Sequence, residues 1–362
     1  MHELGHFFAA RWFGVRVEEF GIGIPPRLLG KKIGETLYSI NLLPFGGFVK
    51  LTGENALEVS EANTPVNDPH NFMSKSSVQR LIILAAGVAM NLTMAVMFYY
   101  VFLAANNFKT LALPLFFDYN FSFGEQRVIS TVITGIEEKS PAFAAGLRRG
   151  EAIIEVDGAP VYNHNDIKAR LEGKGGEEVK VLLMDVAGLS RDLRVVSVGL
   201  RGKVGEDAIL GVLLAKAVTV DYAKKPLLSG FSHVYNMAAY SVFTLYKLVG
   251  LSVAQRDITP VSSSISGPVG IFGIVGSILY YGGGEAVLRL LDFVALLSLS
   301  LAVVNLLPFP ALDGGRIIFV LFEMLFRKKL DGKFEARLHK WGMVFLLGVL
   351  LLVTFKDIRL IF

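Results

Sequence analysis

Residues 81–105 read LIILAAGVAMNLTMAVMFYYVFLAA, and no charged side chain occurs between Arg80 and Lys109. About 20 consecutive apolar residues suffice for one helix across a bilayer, so this run predicts a transmembrane helix over 80–105. The whole chain agrees with that reading. Hydrophobic residues make up 52% of its 362 positions and charged residues only 19%, too apolar for a protein with an ordinary water-facing surface. Its 36 Lys and Arg against 32 Asp and Glu form no basic stripe, so a nucleic-acid partner is excluded. Cysteine is absent, which removes a disulfide framework, a thiolate nucleophile and any Cys-built metal site.

Two further spans are expected. Phe293 to Leu312 lies between Asp292 and Asp313 and contains Asn305, Pro308 and Pro310, so its C-terminal part should be kinked or unwound. Irregular backbone at membrane depth is tolerated only where it lines a protein cavity, which makes the break a hint of a site. Trp341 to Phe355 is short, but Lys340 and Lys356 could snorkel at its ends. Ser262 to Gly284, uncharged and rich in Ser and Gly, reads as a re-entrant or surface-lying stretch, which with the broken span makes a 262–326 region. Met237 to Val253 carries a single Lys247 and suits an amphipathic interfacial helix, assigned to 225–254.

The texture changes between Phe121 and Lys216. Short alternating runs such as VISTVITGI, EAIIEVDGAPV, EVKVLLMDV and RDLRVVSVGL, separated by Gly and Asn/Asp turns, predict a small, mostly β domain with a short helix in Ser140 to Leu147. Arg11, Arg16, Arg27, Lys31, Lys32, Lys50, Lys75 and Arg80 precede the first long span, and Arg327, Lys328, Lys329, Lys333, Arg337 and Lys340 precede the last. Both groups should be cytoplasmic, which places the β domain on the other side.

The chemistry starts at residue 2. His2-Glu3-Leu4-Gly5-His6 spaces two imidazoles one helical turn apart, on one face, where they can share a metal ion. Glu3 beside them could take a proton from water. A catalytic Zn2+ with two nitrogen ligands needs one more protein ligand and an open position. The best candidate is Asp313, at the end of Asn305-Leu306-Leu307-Pro308-Phe309-Pro310-Ala311-Leu312-Asp313-Gly314-Gly315. A carboxylate at that depth is costly unless it binds a cation or lines a wet cavity; the alternative is an interfacial helix cap. Asn305 offers an amide that could donate to a substrate carbonyl. The remaining histidines, His70, His164, His233 and His339, read as ordinary loop or interface residues.

HExxH at the first helix with NxxPxxxLDG on a later one resembles the site-2 protease family of intramembrane zinc metalloproteases, best its bacterial RseP-like branch. Gly21-Ile22-Gly23-Ile24-Pro25-Pro26 and Leu43-Pro44-Phe45-Gly46-Gly47-Phe48-Val49-Lys50 resemble that family's membrane-associated β-hairpin region, here within 15–79. Ser266-Gly267-Pro268-Val269-Gly270-Ile271 matches the run ahead of its third span. Ser140 to Glu151 and Ile153 to Gly158 resemble a bacterial PDZ domain, to which peptide chain ends could add as a strand or which could act as a spacer or filter. The resemblance implies a polytopic α-helical membrane protein with a membrane-associated β-hairpin region and an inserted PDZ-like domain, in the bacterial inner membrane. It implies Zn2+ on His2, His6 and Asp313, Glu3 as the catalytic base, Asn305 in substrate binding, and membrane-anchored protein substrates. The alternative is a proteolytically inactive membrane PDZ adaptor.

Three departures stand out. Gly87-Val88-Ala89-Met90-Asn91 lacks the Gly-Pro usual before the second span's Asn, the last span is short, and only Met1 precedes His2 where the family has a long apolar run. Residues 1–14 are therefore expected to be the remnant of a first transmembrane helix, with about 10 to 20 apolar residues encoded upstream in the same frame.

Overall fold

The computed structural model describes residues 1–54, 68–185, 193–202, 208–281, 283–328 and 332–361. Lys329, Arg191 and Asp192, named above, lie outside the described residues, as do 55–67 of the hairpin region and 186–192 and 203–207 of the β insert. Helices and β-sheets both occur, and among the described residues four helices are long and apolar enough to cross a membrane by length and composition. The chain divides into two units: residues 1–98, 251–278 and 290–362, and residues 99–250 with 279–289.

In the first unit, α1 (His2–Trp12) leads into β1 (Val17–Ile33) and β2 (Thr36–Leu51). The two strands do more than form a hairpin. Arg27 to Ile33 pair with Asn41 to Thr36, while Glu19 to Ile22 pair with both Leu37 to Ile40 and Lys50 to Gly47. The β1 stretch around Gly21 thus has strand neighbours on both sides, whereas Gly47 to Val49 has a strand neighbour on one side among the described residues. Phe7 of α1 packs its ring against Phe20 and Tyr38 of this sheet. A core of Phe7, Ala10, Val17, Leu51, Ile83 and Val320 ties α1 and the sheet to α2 (Ser77–Ala105) and to a later helix.

Helix α1 lies close against α2 because glycine lets it. A methyl group on Gly5 would come within 2.2 Å of the Ala86 carbonyl oxygen, and one on Gly87 within 2.2 Å of His6 Nε2. At both positions only hydrogen fits.

The second unit carries the β insert. Its seven-stranded sheet runs β3 (Leu113–Pro114), β9 (Val212–Asp221), β4 (Glu125–Ile136), β5 (Glu151–Val156), β7 (Glu178–Asp185) and β8 (Leu193–Gly199), with β6 (Ala159–Pro160) beside β5. The sheet therefore begins before Phe121 and ends after Lys216, because β3 and the end of β9 close against each other. Ile133, Ile153, Val156, Val179, Val181 and Leu183 are fully buried in its core. Ser140 caps the short helix α3 (Pro141–Ala144), its Oγ accepting from Phe143 N–H at 3.1 Å, with Pro141 at the first helical position, where its missing N–H costs nothing. Helix α4 (His164–Leu171) starts with a capping box between Asn163 and Asp166.

The remaining helices depart from the expected spans in a common direction. Helix α5 (Ser229–Gln255) outruns Met237 to Val253 at both ends, and Pro226 to Gln255 is one of the four apolar candidates. Lys247 alone does not break it. Then come α6 (Thr259–Ser263) and α7 (Pro268–Tyr281); the latter's 14 residues rise about 21 Å, short of a hydrocarbon core of about 30 Å. Helix α8 (Ala286–Asn305) starts earlier than Phe293, its Asp292 lying inside the helix, and it stops at Asn305 rather than running kinked to Leu312. Pro308 and Pro310 cannot extend it. The chain passes through 306–312 and starts again as α9 (Asp313–Phe326). Asp313 is thus the first residue of a new helix, not the end of the old one. The last helix, α10 (Gly332–Ile361), is 30 residues long rather than 15, because it continues through Lys340 and Lys356.

Candidate metal centre

His2 and His6, four residues apart on α1, project from one face of that helix. The start of α9 brings Asp313 to them. His2 Nε2 lies 2.8 Å and His6 Nε2 3.4 Å from Asp313 Oδ2, and the two ring nitrogens are 3.1 Å apart. Among the described residues this is the only group of three or more His, Cys, Asp or Glu that could hold a metal ion; its ligand atoms all lie within 4.8 Å of one another.

The surroundings fix which atoms face inward. His6 is buried, and its Nδ1 is 2.9 Å from the Ile83 carbonyl of α2. A carbonyl can only accept, so Nδ1 carries the proton and Nε2 keeps its lone pair. His2 Nδ1 is 3.3 Å from the Asn91 amide, one helical turn beyond Gly87. Asp313 Oδ2 is buried and, despite its close approach to both rings, makes no hydrogen bond of its own. The His6 Nε2 lone pair and the unsatisfied Asp313 Oδ2 face each other at 3.4 Å, an approach that repels unless a cation lies between them. A tetrahedral ion bonded at 2.0–2.1 Å would set its donors about 3.4 Å apart, close to the spacing observed. The residues present fit such an ion.

Asn305, the last residue of α8, places its Nδ2 3.3 Å from His2 Nε2, so its amide borders the same point. Glu3 lies on α1 between the histidines, and its side chain faces β2: a methyl on Gly47 would be 3.5 Å from Glu3 Cγ. Glu3 thus lies over the face of the strand at Gly47.

All five residues singled out in the sequence are brought together in one unit. Asn91 was missed as part of this group, although a lone Asn inside an apolar run is a recognisable signal. Gly87 was noted only for its missing proline neighbour; its contact with His6 depends on how α1 meets α2. His70, His164 and His233 lie elsewhere. His70 Nδ1 lies 3.0 Å from the Gly14 carbonyl, and His233 is buried with Nδ1 3.1 Å from Tyr222 Oη.

Two histidines and one aspartate that could hold a metal ion thus converge on a scaffold of helices and a β-hairpin. Residues 1–349 match the sequence profile of peptidase family M50. A Clostridium perfringens protein named "Putative zinc metalloprotease" is 32% identical over 99% of this chain and 94% of its own length. Relatives of the same name occur in Clostridium acetobutylicum, 31% identical over 99% of this chain and 93% of that one, and in Helicobacter pylori, 30% identical over 99% and 95%. The chain belongs to peptidase family M50, the site-2 proteases. The crystal structure of a PDZ domain from a Listeria innocua SdrC-like protein is similar over 24% of this chain and 92% of that one, at 24% identity and a TM-score of 0.20.

Proposed function

We propose that this protein is an intramembrane zinc metalloprotease that hydrolyses peptide bonds of membrane-anchored proteins. The observation that carries the reading is the convergence of His2 Nε2, His6 Nε2 and Asp313 Oδ2 beside Glu3. His2, His6 and Asp313 would hold Zn2+, as the name of the relatives suggests; when bound, the ion would supply Lewis acidity that polarises the scissile carbonyl and acidifies water. Glu3 accepts the proton of the attacking water and returns it to the leaving amine. The Asn305 amide, bordering the same point, would donate to the substrate carbonyl oxygen.

A helical substrate hides its carbonyls in its own hydrogen bonds, so it must be extended before it can be cut. Gly47 to Val49, with a strand neighbour on one side among the described residues and Glu3 close to Gly47, supports a strand-addition mode of binding there. Four apolar helices support a multi-pass protein of the bacterial inner membrane, with 80–105, 262–326 and 341–355 contributing spans around the 15–79 hairpin region. The longer apolar run Pro226–Gln255 makes the 225–254 helix a fourth candidate span rather than only an interfacial one. The 121–216 insert is a PDZ-like extracytoplasmic domain that binds peptide chain ends or filters substrates.

The test is zinc content together with cleavage of a model transmembrane peptide, wild type against Glu3→Gln. Loss of cleavage by about a thousandfold with zinc retained is expected, since the base is removed and the ligands remain. Appreciable residual turnover would remove Glu3 from the reaction. Absence of cleavage by the wild type with zinc bound would favour an adaptor that binds such proteins without cutting them.

A further inference from the structure

His339 was read as an ordinary interface residue, yet it touches the backbone that delivers Asp313. Its Nδ1 accepts a hydrogen bond from the Ala311 N–H at 2.9 Å. Ala311 has φ +79°, a conformation that costs a residue with a Cβ and that something must hold in place. The contact belongs to a register. Gly342, three residues on along α10, meets Pro310 so closely that a methyl there would be 2.5 Å from the Pro310 carbonyl oxygen. Three residues further, the Phe345 ring lies 5.6 Å from that of Phe309. One stripe of α10, at 339, 342 and 345, thus runs against Ala311, Pro310 and Phe309 in reverse order.

These three loop residues stand immediately before Leu312 and Asp313. Leu312 is extended (φ −100°, ψ 161°), and its N–H returns to the Phe309 carbonyl at 3.1 Å. The loop is therefore short, folded on itself and fixed at one end by the His339 ring. Because Nδ1 accepts from an amide, the neutral ring carries its proton on Nε2, which is buried with no hydrogen-bond partner and 4.0 Å from Glu335 Oε1. The ring also packs edge-on against Phe319 of α9, one helical turn and a half beyond Asp313.

We infer that His339 is a positioning residue for the metal centre: by accepting the Ala311 N–H it holds the left-handed turn that aims Asp313 Oδ2 at His2 and His6. This rests on the ligand set proposed above. Groups that orient a ligand from behind typically change metal affinity by 10- to 100-fold when removed.

The experiment uses the full chain in detergent and reads zinc affinity by chelator competition and the visible spectrum of the Co2+-substituted protein. His339→Phe keeps the ring and the Phe319 contact but leaves the Ala311 N–H unpaired; zinc affinity should fall about tenfold or more, with an altered cobalt spectrum. His339→Asn, whose Oδ1 can stand where Nδ1 stood, should stay within about threefold of wild type. Adding Ala311→Gly to His339→Phe should recover part of the loss, since glycine adopts φ +79° without a holding group, and a merely structural defect would not respond this way. Wild-type affinity and spectrum in His339→Phe would overturn the inference. So would an equal loss in His339→Asn, which also decides the matter if His339→Phe fails to fold. His6→Ala run in parallel separates the two readings: if it binds zinc as wild type does, the ligand set itself is wrong, whereas loss in His6→Ala alone leaves that set standing and rejects the role of His339.

Discussion

In the β-rich unit Ile133, Ile153, Val156, Val179, Val181 and Leu183 have no exposed surface, while along the last helix of the other unit Leu350, Leu351, Leu352 and Phe355 are 44–72% exposed. With the first unit in a bilayer, as proposed above, the two regions meet different solvents. A sheet that alternates inward valines and leucines with outward charges is stable in water, where about 25 cal/mol per Å² rewards burial of apolar surface. A helix that is apolar around its circumference gains nothing from that effect against lipid, and its packing must come from close backbone approach. The first unit has such approaches: Gly5 and Gly342 sit where backbones meet too closely for a methyl group, and Gly87 leaves room for the His6 ring. Small residues at these contacts act together with the core of Phe7, Ala10 and Ile83 to hold α1.

The strongest way to break the contrast is to strike the centre itself. His6→Ala and Asp313→Ala should each lose zinc and proteolysis together, because each removes one of three converging donors. Metal analysis of the purified variants checks this, and full zinc occupancy in Asp313→Ala would mean that another group is the third ligand. A destructive effect is also expected from Gly87→Val, although residue 87 is no ligand. Its Cβ would overlap His6 Nε2 and come within 2.7 Å of His2 Cε1, so zinc should be lost while the β insert keeps its fold. Overpacking of this kind costs about 1–3 kcal/mol or more, and the melting temperature of the full chain should drop accordingly.

The insert offers the opposite experiment. Residues 107–222 alone should fold in water, judged by circular dichroism and a cooperative thermal transition, since their core is complete without the helices of the first unit. Within that fragment Ile153→Ala should cost about 2–5 kcal/mol, read as a shift of the unfolding midpoint in urea. The same exchange should leave zinc binding in the full chain unchanged. A fragment that is unfolded at neutral pH would show that the sheet depends on the helices.

What the sequence made legible follows the same division. HExxH could be read because its chemistry lies in local spacing, and Asp313 because an acidic residue beside two prolines in an apolar run has few bland explanations. The β insert was legible from alternation, though its ends were not: β3 is two residues long and pairs only through β9, about 100 positions away. Helix ends in the first unit differ from the sequence expectation at Asp292, Lys340 and Lys356, because a charged residue, here a half-buried aspartate and two lysines, need not end a helix. The double pairing of Glu19 to Ile22, the contact of Gly87 with His6 and the hydrogen bond from Ala311 to His339 join residues far apart in the chain by backbone approach. No periodicity announces them.

The smallest effect concerns charge on the water-facing side of the contrast. Asp157, at φ +51° in the turn after β5, accepts from Lys180 N–H at 2.8 Å and pairs with the Lys174 ammonium. Those contacts hold its carboxyl below the usual carboxylate range, the lysine side chain contributing most. A depressed folded-state pKa means that the stabilisation is fully present above about pH 4 and is lost as pH falls through the lower, folded value. The side chains are about one-third exposed, so the contribution should be below about 1 kcal/mol and weaker in salt. Melting curves of the 107–222 fragment between pH 6 and pH 2.5 should therefore show a slightly shallower acid slope for Asp157→Asn than for wild type, with the two converging at the acid end. Identical slopes would show that Asp157 titrates in the folded insert as it does in the unfolded chain.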